Sequence, residues 1–173
     1  CSFDESKPVL MVIGGSLGAS SVNKTVRDNL DALLQKFQIV HLCGKDKMDN
    51  LLLTRPGYRQ FEYVKEDLKD LYAMADIVLS RAGANAICEL LALKKPNLLV
   101  PLPTGRGDQK LNAASFEAQG YSIVVQDDDL PDVILEKISE LYEHRNQYIS
   151  AMEKSSQTDS NHLVLSLIEQ EAK

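Results

Sequence analysis

An open, mainly parallel α/β sheet of six strands with helices on both faces is what this sequence predicts, on three observations. Strand-like apolar runs alternate with amphipathic helical patterns along the chain, as repeated β-α units do. The strongest strand runs are continuously apolar rather than alternating, which suits strands buried on both faces. Several of these runs pass directly into glycine-rich or polar turns, where a parallel sheet hands the chain to its next helix.

Residues 9–13, Val-Leu-Met-Val-Ile, form the first strand. Gly14-Gly15-Ser16-Leu17-Gly18-Ala19-Ser20 follows as a tight turn. One helix over 22–37 then buries Val22, Val26, Leu30, Leu33 and Leu34 along a stripe. Residues 39–42 are the second strand, closed by Gly44, and the polar stretch 45–57 carries no clear pattern. The third strand is expected over 58–64, and a helix over 67–75 turns Leu68, Leu71, Tyr72 and Ala75 inward. Residues 77–79 give the fourth strand. Arg81-Ala82-Gly83-Ala84 is too small and turn-prone to continue it, and the next helix sets Ile87, Leu90 and Leu91 on one face. Residues 97–100 are the fifth strand. A helix over 109–119 stops at Gly120, and a sixth strand occupies 121–125. Pro131 suits the first turn of a helix ending near His144, and two more helical patterns cover 146–154 and 160–171.

The 173 residues suffice for one domain with a proper core, and no repeat, low-complexity run or interior linker divides them. Hydrophobic residues at 44% and charged residues at 25% describe an ordinary globular balance. A net charge of −6 argues against a nucleic-acid surface, which needs a basic face. No apolar run is long enough to span a bilayer, so a cytosolic chain is expected. Cys1, Cys43 and Cys88 lack metal spacing. The latter two sit in apolar runs and read as buried free thiols. The chain starts at Cys1 and reaches its first strand within ten residues, so it reads as a piece of a longer protein or as carrying a residual tag.

Three stretches could carry chemistry. The turn after the first strand offers Gly14, Gly15 and Gly18 for close backbone approach, with Ser16 as a hydroxyl donor before a helix N-terminus. It reads as an anion site, or as a turn that merely reverses the chain. It is neither the dinucleotide fingerprint, which would need glycine at Ser16 and Ala19, nor a P-loop, since no Gly-Lys-Ser/Thr follows. On the helix after the fourth strand, Asn85 and Glu89 stand four apart on a face away from the apolar stripe. Glu89 could accept hydrogen bonds from a vicinal diol, or be a solvated residue paired with Arg81. In the third stretch Arg106, Asp108, Gln109 and Asn112 cluster at a helix start. Asp108 and Gln109 could hold sugar hydroxyls, or Asp108 could simply be the N-cap.

Asp127-Asp128-Asp129 suits helix-dipole complementation better than a metal site, and His41, inside an apolar strand, suits a satisfied structural role. No Ser/His/Asp or Cys/His constellation can be assembled. An NAD(P) site is disfavoured because the second strand ends in His41-Leu-Cys-Gly44 and not in an acidic residue.

Three stretches in order, Gly-Gly-Ser-Leu-Gly-Ala, Ser-Arg-Ala-Gly-Ala-Asn-Ala-Ile-Cys-Glu and Leu-Val-Pro-Leu-Pro…Arg-Gly-Asp-Gln-Lys-Leu-Asn-Ala, resemble the C-terminal half of the MurG family of peptidoglycan N-acetylglucosaminyltransferases. The likeness runs from about Pro8 to the last helix. It implies half of a GT-B enzyme, whose two Rossmann-like domains flank an active-site cleft. Such enzymes move GlcNAc from UDP-GlcNAc to the muramoyl C4 hydroxyl of lipid I with inversion, giving lipid II.

The resemblance implies that this half binds the donor. Gly14, Gly15, Ser16, Leu17 and Gly18 would surround its phosphates. Arg81, Gly83 and Ala84 would form the turn beside the pyrophosphate. The Val64 backbone would read the uracil, Glu89 the ribose, and Gln109 the GlcNAc hydroxyls, with Asp108 and Asn112 nearby. Asp108 replaces a glutamine of some members, and the loop 101–106 looks short for the family. No metal cofactor is expected.

The catalytic histidine, the acceptor site for lipid I and the surface that meets the inner face of the cell membrane would belong to an N-terminal domain outside this chain. The chain alone is expected to bind donor without turnover. A non-catalytic nucleotide-sugar-binding module, or a subunit of a split transferase, is the other reading.

Overall fold

The computed structural model describes residues 1–155 except Ser2, Glu5, Ser16, Leu17, Glu66 and Gly105. The helix expected over 160–171 and His162 lie outside the described residues. Six strands form one sheet: β1 (Val9–Ile13), β2 (Gln38–Leu42), β3 (Tyr58–Phe61), β4 (Ile77–Ser80), β5 (Asn97–Leu99) and β6 (Ser122–Val124). All are parallel, in the order β3-β2-β1-β4-β5-β6. The helices are α1 (Ser20–Asp28), α2 (Leu30–Lys36), α3 (Leu68–Met74), α4 (Ala84–Ala92), α5 (Asp108–Ala118), α6 (Leu130–Glu143) and α7 (Arg145–Glu153).

The continuous apolar strands are explained by two cores. Leu10 and Val12 of β1 join Ile39, Ile77 and Leu79 on one face, where Val26, Leu33, Ile134 and Ile138 from α1, α2 and α6 cover them. Val9 and Met11 join Val40, Val78 and Leu99 on the opposite face, beneath Leu71, Leu90 and Phe116 from α3, α4 and α5. Alternate residues of β1 thus feed opposite cores, so no position in it can be polar without cost. The fold class read from the sequence is the one observed.

The differences are local. The expected single helix over 22–37 is two, because Asn29 leaves helical geometry (φ −103°, ψ 11°) and its amide donates to the Thr25 carbonyl at 3.0 Å. A side chain bonding a neighbouring backbone carbonyl competes with helix continuation. The third strand stops at Phe61, not 64, so Glu62, Tyr63 and Val64 leave the sheet. Cys88 is exposed, and only Cys43 is buried. One residue past Ile87 on α4 is a rotation of about 100°, enough to carry Cys88 off the buried stripe.

Candidate functional site

The strand order reverses between β1 and β4: from β1 the chain works outward to β3, then returns to start β4 on the other side of β1. At such a switch point the loops at the strands' carboxyl ends part and leave a crevice. An open cleft of about 540 Å³ lies there, bounded by Gly15 after β1, Glu62, Tyr63 and Val64 after β3, and Gly83, Asn85 and Glu89 at the start of α4.

Two helix N-termini come to this end of the sheet. The N-cap of α1 is Ala19 and that of α4 is Gly83. Neither end has a side-chain cap bond or an acidic residue in its first turn. Their first N–H groups therefore have no carboxylate or hydroxyl acceptor from the cap position, and both dipoles present partial positive charge.

The glycines before α1 have separate reasons. Gly18 has φ +67°, and a Cβ there would stand 1.9 Å from the Cys43 carbonyl oxygen. A Cβ on Gly14 would lie 2.4 Å from the Ala19 nitrogen. These two are required by close packing of the turn against β2 and against itself. Gly15 lines the cleft, and among the described residues none beyond its chain neighbours lies within 4 Å of where its side chain would be. Ser16 and Leu17, expected at the phosphates, lie outside the described residues.

Glu89 is exposed on the cleft wall, one helical turn after Asn85, as the spacing of four predicts. Its Oε2 accepts a hydrogen bond from the buried Tyr72 hydroxyl at 3.2 Å. Burial first, then the Glu89 carboxylate, pushes the Tyr72 phenol above its ordinary range, so it stays a donor. The Arg81–Glu89 pairing considered from sequence does not form. Arg81 is buried, donates to the Val100 carbonyl at 3.1 Å and to the Ser21 hydroxyl at 2.8 Å, and forms an ion pair with Asp127. Asp127 also accepts from Ser21 at 2.9 Å. Arg81 and Asp127 thus tie the ends of β4, β5 and β6 to the first turn of α1.

Of the residues expected at a ligand, Gly15, Val64, Gly83, Ala84 and Glu89 meet around the cleft. Asp108, Gln109 and Asn112 do not line it. Asn112 donates to the Ala82 carbonyl at 3.0 Å and so steadies the turn before α4. Gln109 accepts from the Leu102 amide at 3.0 Å and holds the preceding loop. Asp108 is exposed in the first turn of α5, whose N-cap is Gly107. Glu62, Tyr63 and Leu68 also line the cleft, which the sequence does not indicate: the strand expected over 58–64 hides the first two in its alternation, and Leu68 reads as part of a helix's apolar stripe.

Behind α1 lies a buried polar chain that fixes its position. Asn23 donates to the Cys43 carbonyl at 2.8 Å, leaving its Oδ1 as the acceptor 2.9 Å from His41 Nε2. Nε2 therefore carries the imidazole proton, and Nδ1 accepts from the Tyr58 hydroxyl at 2.8 Å. Burial, with a smaller contribution from Arg27, lowers the His41 pKa to about 3. A larger cavity of about 660 Å³ opens on the outer side of α1, between Lys24, Arg27 and Asp49. It lies off the switch point. Arg27 turns inward there, donating to the Lys47 carbonyl at 2.6 Å and to Gln60 at 2.8 Å.

This strand order, with a cleft at the switch point, defines a Rossmann-like α/β domain. The chain belongs to the family described as the glycosyltransferase family 28 C-terminal domain, whose model matches residues 9–166. It is 54% identical, over its whole length, to the UDP-N-acetylglucosamine--N-acetylmuramyl-(pentapeptide) pyrophosphoryl-undecaprenol N-acetylglucosamine transferase of Lachnospira eligens, and 52% identical to that of Clostridium botulinum Hall. The chain spans about half the length of these curated relatives, 50% in each case. In structure it is similar to Acinetobacter baumannii MurG, with a TM-score of 0.75 at 22% identity, covering 97% of this chain and 51% of that one. It is also similar to the glycosyltransferase VinC in complex with dTDP, with a TM-score of 0.68 at 18% identity over 95% of this chain and 42% of that one. The resemblance drawn from the three motifs is borne out.

Proposed function

We propose that this chain is the donor-binding half of an inverting glycosyltransferase that moves GlcNAc from UDP-GlcNAc to the muramoyl C4 hydroxyl of lipid I. The observation that carries the reading is the convergence of Gly15, Val64, Gly83 and Glu89 on one cleft at the β1/β4 switch point. The names of the relatives, each an N-acetylglucosamine transferase, supply the sugar and the acceptor. The diphosphate lies against the turn at Gly15 and the first turn of α1, the uracil against the Val64 backbone, and the ribose on Glu89. Loss of UDP builds negative charge on the β-phosphate, where the uncapped N–H groups of α1 and its dipole stabilise it. The acceptor site and the base that deprotonates the C4 hydroxyl belong to a second domain, and the two together act at the inner face of the cell membrane. Among the described residues no helix is long and apolar enough to cross a membrane.

Calorimetric titration with UDP-GlcNAc, UDP and NAD tests the reading. UDP and UDP-GlcNAc should bind, and Glu89→Ala should weaken both by about tenfold or more, the loss of hydrogen bonds to a charged acceptor. Binding of NAD without either uridine nucleotide would overturn it.

A further inference from the structure

We propose that Tyr72 is a positioning residue whose hydroxyl holds the Glu89 carboxylate ready for a ribose diol and so makes the cleft select ribonucleotides over their 2′-deoxy forms. The inference rests on the donor-site reading above and assigns a role to a residue that does not itself line the cleft.

Glu89 lies exposed on α4, and a free glutamate in that setting samples many rotamers. Tyr72 projects from α3, is 3% exposed, and reaches Glu89 Oε2 from beneath at 3.2 Å. Its ring is packed in the core with Leu71, Ile87 and Leu90, so the hydroxyl is a fixed point. A carboxylate has about four lone-pair sites, and this bond takes one of them. The others remain for a ligand, and Glu89 lines the cleft, which is enough for the two hydroxyls of a vicinal diol. The phenol has no alternative state near neutral pH, because burial and the adjacent carboxylate both hold its proton on. One oxygen of Glu89 is therefore anchored, which restricts the carboxylate before ligand arrives.

The anchor acts only through Glu89, and this separates it from packing. Titration of the chain with UDP and with 2′-deoxy-UDP is run on the wild type, Tyr72→Phe, Glu89→Ala and the double variant. Tyr72→Phe keeps the ring and removes only the donor. It is expected to weaken UDP about tenfold, 2′-deoxy-UDP less than about threefold, and to add nothing in the Glu89→Ala background. Tyr72→Leu provides a second variant if Tyr72→Phe does not fold. It also removes the donor while leaving Glu89 in place, and should lose the same preference. Equal weakening of both nucleotides by Tyr72→Phe, or no weakening, overturns the positioning role while leaving the donor site standing. A wild type that binds neither nucleotide overturns the donor reading and this inference with it.

Discussion

Glycines that look alike in the sequence do different work in the structure. Gly18 is a packing glycine: its φ of +67° and the Cys43 carbonyl 1.9 Å from any added Cβ leave no room for a side chain. Gly15 has φ +81° but no described residue beyond its chain neighbours close to a side chain there, and it lines the cleft. Alanine at Gly18 must move the backbone of β2's end as well as adopt a left-handed conformation, and should cost at least about 3 kcal/mol in urea denaturation. Alanine at Gly15 carries only the conformational term, about 1–2 kcal/mol, yet it should weaken UDP binding markedly because its methyl enters the cleft. If both variants lost stability equally with no difference in binding, the division between a packing and a ligand glycine would fail. The motif could not show this division, since the contact that decides it comes from Cys43, which follows a different strand.

Elements are set against one another by polar groups that the apolar pattern does not announce. Asn23, on the buried face of α1, would count as a break in its stripe. It is instead the link through which α1 is joined to His41, Tyr58 and the end of β2. The network needs a neutral imidazole, and the folded-state pKa of His41, about 3, lies below the ordinary 6.5 of an unfolded chain. Between these values the unfolded chain binds a proton that the folded one refuses. Stability is therefore unaffected by His41 above about pH 6.5 and declines as pH falls below it, by about 1.4 kcal/mol per pH unit. His41→Gln, whose amide can donate to Asn23 and accept from Tyr58 without titrating, should remove that slope. Urea denaturation of both proteins at pH 6 and pH 4 isolates the difference, since the carboxylates are common to both. Parallel pH profiles would show that the folded protein protonates His41 after all. The helical and strand periods were legible because each element has one dominant apolar pattern. The break at Asn29 and the early end of β3 were not, because a side-chain bond to a carbonyl and the loss of a ladder partner leave no period behind.

At the scale of the molecule, the sheet's carboxyl end is a single surface assembled from segments far apart in the chain. Its half nearest the glycine turn was readable, since glycines after a first strand and a glutamate one turn into a helix carry their placement with them. The outer half was not. Whether Asp108, Gln109 and Asn112 face the cleft depends on how the loop before α5 folds, and in the structure Gln109 and Asn112 bond the Leu102 amide and the Ala82 carbonyl. The same geometry says where a bound nucleotide should be felt. First-turn amides of a helix have no intrahelical acceptor, so in the free chain those of α1 and α4 exchange with solvent readily. An anion seated between the two helix ends accepts from them and slows that exchange. Hydrogen exchange with saturating UDP should therefore show protection at residues 20–22 and 84–86, and at Tyr63 and Val64 beside the cleft. Lys7, Gly57 and Arg59, which border a separate pocket, should exchange unchanged. Protection centred on Lys24, Asp49 and Asn50 would put the nucleotide in the larger cavity on the outer side of α1, where Arg27 is already engaged with Lys47 and Gln60, and would move the donor site away from the switch point.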